Sequence, residues 1–256
     1  MDTQIAKNLE NEGLWRDVLT HGHRHGTAIL PGAPKCLICS APLGGLGAPI
    51  ARAFNRRPSR KNPNMCDYCE VAMPMGGAEI QIGVLFADIR GSTALAERIG
   101  PQSFAQLLNR FYQASVEALI PHGTLIDKMV GDEVVALFIP LIGPDYLQRA
   151  AIAAVDLQHA VGAGSPGGAW LPLGIGVHVG PAVVGKFGKG NISDFTALGD
   201  TMNTCARLQA EAKAGEIVIS EEALEGTSID CSGAERATLA LRGREQSLAV
   251  RVIRVG

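Results

Sequence analysis

Two aspartates that accompany strongly apolar runs carry the clearest chemical signal in this chain. Asp88 ends the run VLFAD, and Asp132 lies in a turn between the segments LIDKMV and EVVALF. If the strands that these runs predict are neighbours in one sheet, the two carboxylates converge at one end of it. Either aspartate alone would suit an exposed turn or a helix cap. As a pair they repel each other unless a cation lies between them, which predicts a Mg²⁺ or Mn²⁺ site.

The residues directly after Asp88 predict a place for a phosphate group. Beyond Ile89 and Gly91 the chain turns into a helix, with Ser92 or Thr93 as its expected cap. The free N–H groups of a helix N-terminus suit a phosphate. Carboxylates, a hard metal ion and a phosphate cradle together indicate phosphoryl or nucleotidyl transfer.

Four of the six cysteines form a second chemical pattern, two C-x-x-C pairs: CLIC, with Cys36 and Cys39, and CDYC, with Cys66 and Cys69. In a chain without an apparent secretory signal, such pairs favour a metal site over disulfides. Four thiolates fit tetrahedral Zn²⁺. An iron–sulfur cluster uses the same ligands and stays an alternative, as does a metal-free redox pair.

The elements that must hold these groups divide near residue 76. Residues 1–76 combine an amphipathic stretch, the cysteine pairs, the histidines His21, His23 and His25, and a Gly/Pro/Arg-rich loop. Few long apolar runs occur here, so this segment is expected to need a metal to build its core. The histidines are either extra ligands or a solvated loop, and the basic run 56–61 is interpreted as solvated.

Residues 77–256 alternate strand and helix signals. The expected order is a strand in IQIGVLFADI, helices broken near Gly100–Pro101, a hairpin of LIDKMV and EVVALFI, a helix over 145–161, a strand in LPLGIGVHVG, a Gly-rich loop in VGKFGKGNIS, a helix in TMNTCARLQAEAK, the strand EIVIS and closing strands. The order β-α-β-β-α-β predicts an α+β, ferredoxin-like core with extra C-terminal strands.

Composition excludes several classes of function. The chain has 256 residues, 46% of them apolar and 19% charged, with a net charge of −2. This balance gives no electrostatic reason to expect nucleic-acid or membrane-surface binding. No apolar run is long enough to span a bilayer, and the first residues lack a signal-peptide pattern. We therefore expect a cytoplasmic protein.

Three segments resemble the signature blocks of class III nucleotidyl cyclases, in the family's order: VLFADIRGSTALAERIG, DKMVGDEVVALF and FTALGDTMNTCARL. The resemblance covers roughly residues 80–255. It implies that Asp88 and Asp132, with the carbonyl of Ile89, bind two Mg²⁺ or Mn²⁺ ions. It also implies that Asn203 positions the ribose and that Arg207 stabilises charge developing on the phosphate.

The same resemblance places the purine-reading residues at Lys128 and Thr196. Adenine offers an acceptor at N1 and a donor at N6, which a lysine and a hydroxyl match. A guanine reader needs an acceptor, typically a glutamate, and none stands at position 128. ATP is therefore the expected substrate, with cyclic AMP and pyrophosphate as products. The threonine resembles the class IIIb subgroup, which includes bicarbonate-responsive cyclases, but it does not itself imply that response.

One position departs from the family's pattern. Relatives often carry a basic residue that holds the triphosphate where this chain has Asn191. Lys186 or Lys189 in the same segment, or Arg242 and Arg244 near the C-terminus, could supply that charge.

Members of this family work as head-to-tail dimers, with the metal aspartates of a site from one chain and the purine and transition-state residues from the other. This chain carries both sets, so the resemblance implies a homodimer with two equivalent sites. Residues 1–76 could then receive the signal of an upstream regulator.

Two other functions stay open. A catalytically weak nucleotide-binding module, regulated by zinc or redox state, would fit the absence of a basic residue at position 191. A diguanylate cyclase also uses a ferredoxin-like sheet and an acidic hairpin. That enzyme would have Gly-Gly where Val130-Gly131 stand, and it would leave the N-x-x-x-R pattern of Asn203 and Arg207 unexplained.

Overall fold

The computed structural model describes residues 3–22, 26–163, 167–189, 192–225, 227–240 and 247–255, with the side chains of 3–10 and 192 left out. The helices are α1 (Thr3–His21), α2 (Ala48–Ala53), α3 (Asp67–Ala72), α4 (Ser92–Ile99), α5 (Pro101–Leu119), α6 (Tyr146–Ala160), α7 (Asp200–Glu211) and α8 (Glu221–Leu224). The strands are β1 (Gly76–Ile89), β2 (Leu125–Val130), β3 (Glu133–Phe138), β4 (Leu173–Lys189), β5 (Ile192–Leu198), β6 (Glu216–Ser220), β7 (Glu235–Leu239) and β8 (Leu248–Arg254).

The chain forms two compact units. The first comprises residues Met1–Ile82, Ile139–Pro144 and Pro181–Gly199, and the second comprises Gly83–Phe138, Asp145–Gly180 and Asp200–Gly256. The sequence-based boundary at residue 76 stays a prediction.

The second unit contains the ferredoxin-like sheet. Its strand order is β2-β3-β1-β4-β6-β8-β7, and the order β2-β3-β1-β4 is the one that a β-α-β-β-α-β chain makes. β1 and β3 pair antiparallel, as do β2 and β3, which form the predicted hairpin. β4 and β6 pair in parallel. The predicted α+β fold with extra C-terminal strands is confirmed.

Helices cover both faces of this sheet. Successive residues of a strand point to opposite faces, so β6 contributes side chains to both cores. On one face Ile217 and Ile219 join a core with Phe111 of α5 and Leu157 of α6. On the other face Val218 packs with α7 and β8, in a cluster of Leu208, Ala212, Leu248 and Val250. The helix α7 comes so close to β4 that a Cβ atom on Gly176 would lie 2.4 Å from the backbone nitrogen of Gln209.

The first unit contains residues 1–76, which we call the cysteine segment, and a second hairpin. Trp15 and Leu19 of α1 are fully buried, whereas the side chains of the first part of the predicted amphipathic stretch lie outside the described residues. The hairpin pairs β5 with the last part of β4, from Val183↔Leu198 to Lys189↔Ile192. The sequence-based loop over VGKFGKGNIS is therefore wrong, except for residues 190 and 191, which lie outside the described residues. We call residues 181–199 the β4–β5 hairpin.

The start of α4 also differs from the sequence-based expectation. Its N-cap is Gly91, in a left-handed conformation with φ of 69°, and no side chain caps the helix. The cap expected at Ser92 or Thr93 is wrong because the turn after β1 requires a backbone conformation that glycine adopts without strain.

None of the helices in the described ranges is both long enough and apolar enough to cross a membrane.

Candidate functional site

The ends of β1 and β3 bring the two predicted metal aspartates together. Asp88 pairs in register with Glu133, and the backbone N–H of Ile89 donates a hydrogen bond of 3.2 Å to the carbonyl of Asp132. Asp88 and Asp132 are both half-buried, whereas the side chain of Ile89 is buried. Two carboxylates and a nearby backbone carbonyl are oxygen ligands of the kind that Mg²⁺ and Mn²⁺ prefer.

The electrostatics of this end of the sheet also suit a cation. Burial raises the pKa of the Asp88 carboxyl, Arg90 acts against that rise, and the charge of Asp132 adds to it. Burial and the charges of Asp88 and Asp132 likewise raise the pKa of Glu133. Ionised carboxylates are thus disfavoured here without a counter-charge.

Sequence reasoning missed Arg90 as a partner of this site. Its guanidinium forms an ion pair with the carboxylate of Asp88 and so supplies part of the counter-charge. The signal was present in the sequence, since Arg90 stands two residues after Asp88.

The turn that carries Asp132 is held by α5. The hydroxyl of Tyr112 donates a 2.6 Å hydrogen bond to the carbonyl of Gly131, which has φ of 60°. A glycine suits this left-handed position. Tyr112 therefore fixes the residue directly before Asp132.

The predicted phosphate cradle lies directly after Ile89. Gly91 and Thr93 are exposed and Ser92 is half-buried, and α4 begins at Ser92. Because no side chain caps α4, its first N–H groups are not blocked by a capping oxygen.

Asn203 and Arg207 share the outer face of α7. Asn203 is exposed and Arg207 half-buried, whereas the opposite face is buried, with the Cys205 thiol donating to the carbonyls of Val84 and Gly176. Within the described part of the chain, no hydrogen bond or ion pair joins Asn203 or Arg207 to Asp88 or Asp132.

The two predicted purine-reading residues lie on separate hairpins. Lys128 is on β2, its side chain is 49% exposed, and its Nζ lies 3.8 Å from a carboxylate oxygen of Asp127. Thr196 is on β5 in the first unit and only 8% exposed. Its hydroxyl oxygen is buried and has no hydrogen-bond partner among the described residues. A buried hydroxyl of this kind is costly unless a ligand or partner completes it.

The four predicted metal-binding cysteines of residues 1–76 form one buried cluster. The sulfur atoms of Cys36, Cys39, Cys66 and Cys69 all lie within 4.8 Å of one another, and those of Cys39 and Cys66 are 3.8 Å apart. Four sulfurs around one Zn²⁺, at ~2.3 Å each, would be ~3.8 Å apart. The backbone N–H groups of Cys66 and Cys69 donate to the sulfurs of Cys36 and Cys66, which orients these ligands.

Arg56 supplies a positive charge inside the cluster. It is 4% exposed, and its Nη1 lies 3.7 Å from the sulfur of Cys69, 3.8 Å from that of Cys66 and 3.9 Å from that of Cys39. A buried guanidinium is unfavourable beside neutral thiols and favourable beside thiolates. The cluster therefore fits its metal-bound, anionic form, and Arg56 was wrongly interpreted as part of a solvated loop.

The pKa values of the four thiols are split by the hydrogen bonds among them: those of Cys36 and Cys69 are raised well above the ordinary value, and those of Cys39 and Cys66 are lowered, so two of the four favour the thiolate without a metal. Hydrogen bonds from Cys36, Cys39 and Cys69 hold the pKa of the Cys66 thiol far below its ordinary value. A hydrogen bond from Cys36 is the main cause that lowers the pKa of Cys39 to about 7. Thiolates are the forms that bind zinc or iron.

The remaining basic and imidazole candidates lie apart from these sites or outside the described residues. His21 is exposed and pairs with Asp17 at 3.2 Å. Lys186 donates to the carbonyl of Val71, and Lys189 is exposed. The candidates His23, His25, Asn191, Arg242 and Arg244 lie outside the described residues.

Comparison with known sequences identifies relatives for most of the chain. The profile of the family described as "Adenylate and Guanylate cyclase catalytic domain" matches residues 77–252. An adenylate cyclase of Anabaena cylindrica is 26% identical over 201 residues, 72% of this chain and 40% of that protein. An adenylate cyclase of Mycobacterium tuberculosis (strain ATCC 25618 / H37Rv) is 31% identical over 166 residues, 64% of this chain and 37% of that protein. The chain thus spans about two fifths of these relatives' length.

Solved structures agree on the fold and differ in substrate. The guanylyl cyclase Cya2 is similar with a TM-score of 0.62 and 28% identity, over 71% of this chain and 96% of that one. The adenylyl cyclase CyaB from P. aeruginosa gives a TM-score of 0.57 and 26% identity, over 68% and 94%. Similarity alone therefore does not decide between adenine and guanine.

Proposed function

The chain belongs to the adenylate and guanylate cyclase family, and from this we propose that it is an adenylate cyclase, which converts ATP to 3′,5′-cyclic AMP and pyrophosphate. The adjacent carboxylates of Asp88 and Asp132, next to the uncapped start of α4, carry the proposal. The similarity to relatives that are named adenylate cyclases supports cyclic AMP as the product.

Asp88, Asp132 and the carbonyl of Ile89 are the proposed ligands of two Mg²⁺ or Mn²⁺ ions. When bound, such ions would supply Lewis-acid activation of the ribose 3′-hydroxyl and charge neutralisation for the triphosphate. Gly91, Ser92 and Thr93 would present backbone N–H groups to phosphate oxygens. Arg90, which pairs with the carboxylate of Asp88, would have to release or share it if a cation bound there.

Lys128 and Thr196 are the proposed readers of the base. The ammonium of Lys128 donates to N1 of adenine, and the hydroxyl of Thr196 accepts from N6. The buried Thr196 hydroxyl, without a hydrogen-bond partner in the described residues, supports a ligand contact at this position. Guanine instead carries an N–H donor at N1, so the ammonium of Lys128 would face a second donor there.

Asn203 and Arg207 are proposed to act on the ribose and the phosphate. Asn203 positions the ribose, and the delocalised guanidinium of Arg207 stabilises charge that develops during transfer. Cyclase domains of this family function as dimers. Because this chain carries both sets of residues, we place the two sets of one site on different chains of a homodimer.

The cysteine cluster is proposed to bind one Zn²⁺ ion. The short sulfur–sulfur distances favour a single tetrahedral ion, because an iron–sulfur cluster spreads its ligand sulfurs over several iron atoms. An iron–sulfur cluster remains the alternative, and analysis of the bound metal must exclude it.

A product assay tests the proposal. Purified protein is incubated with ATP or with GTP in the presence of Mn²⁺, and products are separated by chromatography. We expect cyclic AMP from ATP, at least tenfold less cyclic GMP from GTP, and about a 100-fold or greater loss of cyclic AMP in Arg207→Ala.

Other products would contradict the proposal in distinct ways. Predominant cyclic GMP would indicate a guanylate cyclase, and cyclic-di-GMP a diguanylate cyclase. No product from folded protein that binds ATP would indicate a nucleotide-binding signalling module.

A further inference from the structure

Within the first unit, the cysteine segment touches the β4–β5 hairpin at the residues next to Thr196. The ammonium of Lys61 forms an ion pair with the carboxylate of Asp194 and donates at 3.3 Å to the carbonyl of Phe195. Asp194 and Phe195 are the two residues directly before Thr196. Lys61 thus contacts the two residues that directly precede Thr196, the proposed base reader.

Lys61 is tied to the metal-binding cysteines by its own loop. The hydroxyl of Ser59 accepts from the backbone N–H of Lys61 at 3.1 Å and donates to the carboxylate of Glu70 on α3. The neighbouring Pro58 forms a backbone bridge with Cys66, and α3 also carries Cys69. Hydrogen bonds and one backbone bridge thus connect Lys61 to the segment that carries Cys66 and Cys69.

Two further contacts link the same partners. The rings of Trp15 on α1 and Phe195 have centroids 5.9 Å apart, and both side chains are buried. On the other strand of the hairpin, the ammonium of Lys186 donates at 2.8 Å to the carbonyl of Val71 on α3. Both strands are therefore held, one by Lys61 and Trp15 and the other by the end of α3.

We propose that the metal-bound cysteine segment positions the β4–β5 hairpin so that Thr196 presents its hydroxyl to the base, with Lys61 as the main positioning residue. The inference rests on the proposed cyclase function for the role of Thr196. Loss of the metal would release Lys61 and the end of α3, and the hairpin would lose its supports. The signal from the cysteine segment would then appear first in base recognition rather than in the chemical step.

A charge-swap experiment tests the coupling. Lys61→Asp and Asp194→Lys each place like charges together, and the double variant restores an ion pair of reversed polarity. We expect each single variant to raise KM for ATP about threefold to tenfold, with kcat within about twofold of wild type. Amide hydrogen exchange over residues 181–199 should accelerate in both single variants and slow again in the double variant.

Arg60→Ala is the matched control. Arg60 is an exposed cation next to Lys61, and its side chain takes part in none of the hydrogen bonds, ion pairs or ring contacts found among the described residues. Its substitution should change neither KM nor hydrogen exchange in the hairpin. Lys61→Ala is the milder variant to use if Lys61→Asp reduces the metal content.

Hydrogen exchange keeps the two proposals separable because it needs no turnover. Unchanged exchange over 181–199 in both single variants, or a double variant that behaves no better than they do, would overturn the positioning role. Exchange could be faster in both single variants and slower again in the double variant, while the wild-type protein forms no cyclic nucleotide. In that case the positioning role of Lys61 stands and the proposed cyclase function fails. Metal removal by a chelator should accelerate exchange in the same residues.

Discussion

At the scale of single residues, the most informative side chain is Arg56. Its guanidinium lies in a buried cluster of sulfur atoms and also stacks on the ring of Tyr68, with its central carbon 3.8 Å from the ring centroid. Such a charge is tolerated inside a protein when an opposite charge lies beside it. Arg56 is therefore positioned as an outer partner of the proposed metal site.

Substitution of Arg56 should weaken the metal site. We expect the purified protein to contain about one zinc ion per chain and to show no visible absorption. Arg56→Met should lower the affinity for the metal about tenfold to 100-fold, as the loss of an outer partner of a metal site does. Competition with a chromophoric chelator measures the affinity. The control is Arg57→Met, at an exposed neighbour.

Two results would contradict this expectation. A brown, anaerobically purified protein with stoichiometric iron would assign an iron–sulfur cluster instead of zinc. Equal metal affinity in Arg56→Met and Arg57→Met would remove the electrostatic role of Arg56.

The sequence indicated single residues where their chemistry is local. Asp88 and Asp132 could be found because each ends or interrupts an apolar run, and the cysteines because of their spacing. Their roles stay predictions. The burial of Arg56 and the contact of Lys61 with Asp194 could not be found in this way, because both depend on residues distant in sequence.

At the scale of elements, the β4–β5 hairpin shows where local patterns mislead. Glycine-rich sequence predicted a loop, yet β4 continues to Lys189 and pairs with β5. Position 185 requires a glycine because the backbone of β1 lies too close for a side chain, and not because the chain turns there. A Cβ atom there would lie 2.1 Å from the carbonyl oxygen of Gly76.

Gly185→Ala should therefore destabilise the first unit. The added methyl group forces β4 away from the start of β1, with a cost of about 1–3 kcal/mol in the free energy of unfolding. Denaturant titration followed by circular dichroism measures the change. Gly233→Ala is the control, because a Cβ atom there would have no neighbour within 4 Å. Equal unfolding midpoints for the two variants would show that the strands separate without cost.

At the scale of the whole molecule, the order of strand and helix signals predicted the α+β fold correctly, and the family resemblance agreed with it. The alternating strand and helix signals after residue 76 made this possible, and three segments that resemble the family's signature blocks contain Asp88, Asp132 and Asn203. The resemblance contained nothing on residues 1–76. Their association with residues 181–199 in one compact unit is a tertiary property that no spacing in the sequence encodes.

The proposed shared site predicts complementation between two inactive proteins. Asp132→Ala lacks a metal ligand, and Asn203→Ala lacks the ribose contact. In a random mixture half of the dimers are mixed, and each mixed dimer has one intact site of two, so about one quarter of wild-type activity should return. Cyclic AMP formation after co-refolding or subunit exchange measures it.

Each variant alone, at the same total concentration, is the control and should stay inactive. If both variants are folded and dimeric, and mass analysis shows mixed dimers, a mixture without activity would refute the shared-site arrangement.

The contact between Trp15 and Phe195 gives the protein a built-in optical reporter. The chain contains two tryptophans, and the second, Trp170, lies under the guanidinium of Arg110 in the other unit. In a Trp170→Phe background, the fluorescence of Trp15 comes from one buried indole beside the hairpin. Its emission would shift to longer wavelength as water reaches the ring, so detachment of the hairpin from the cysteine segment can be followed in real time without a label.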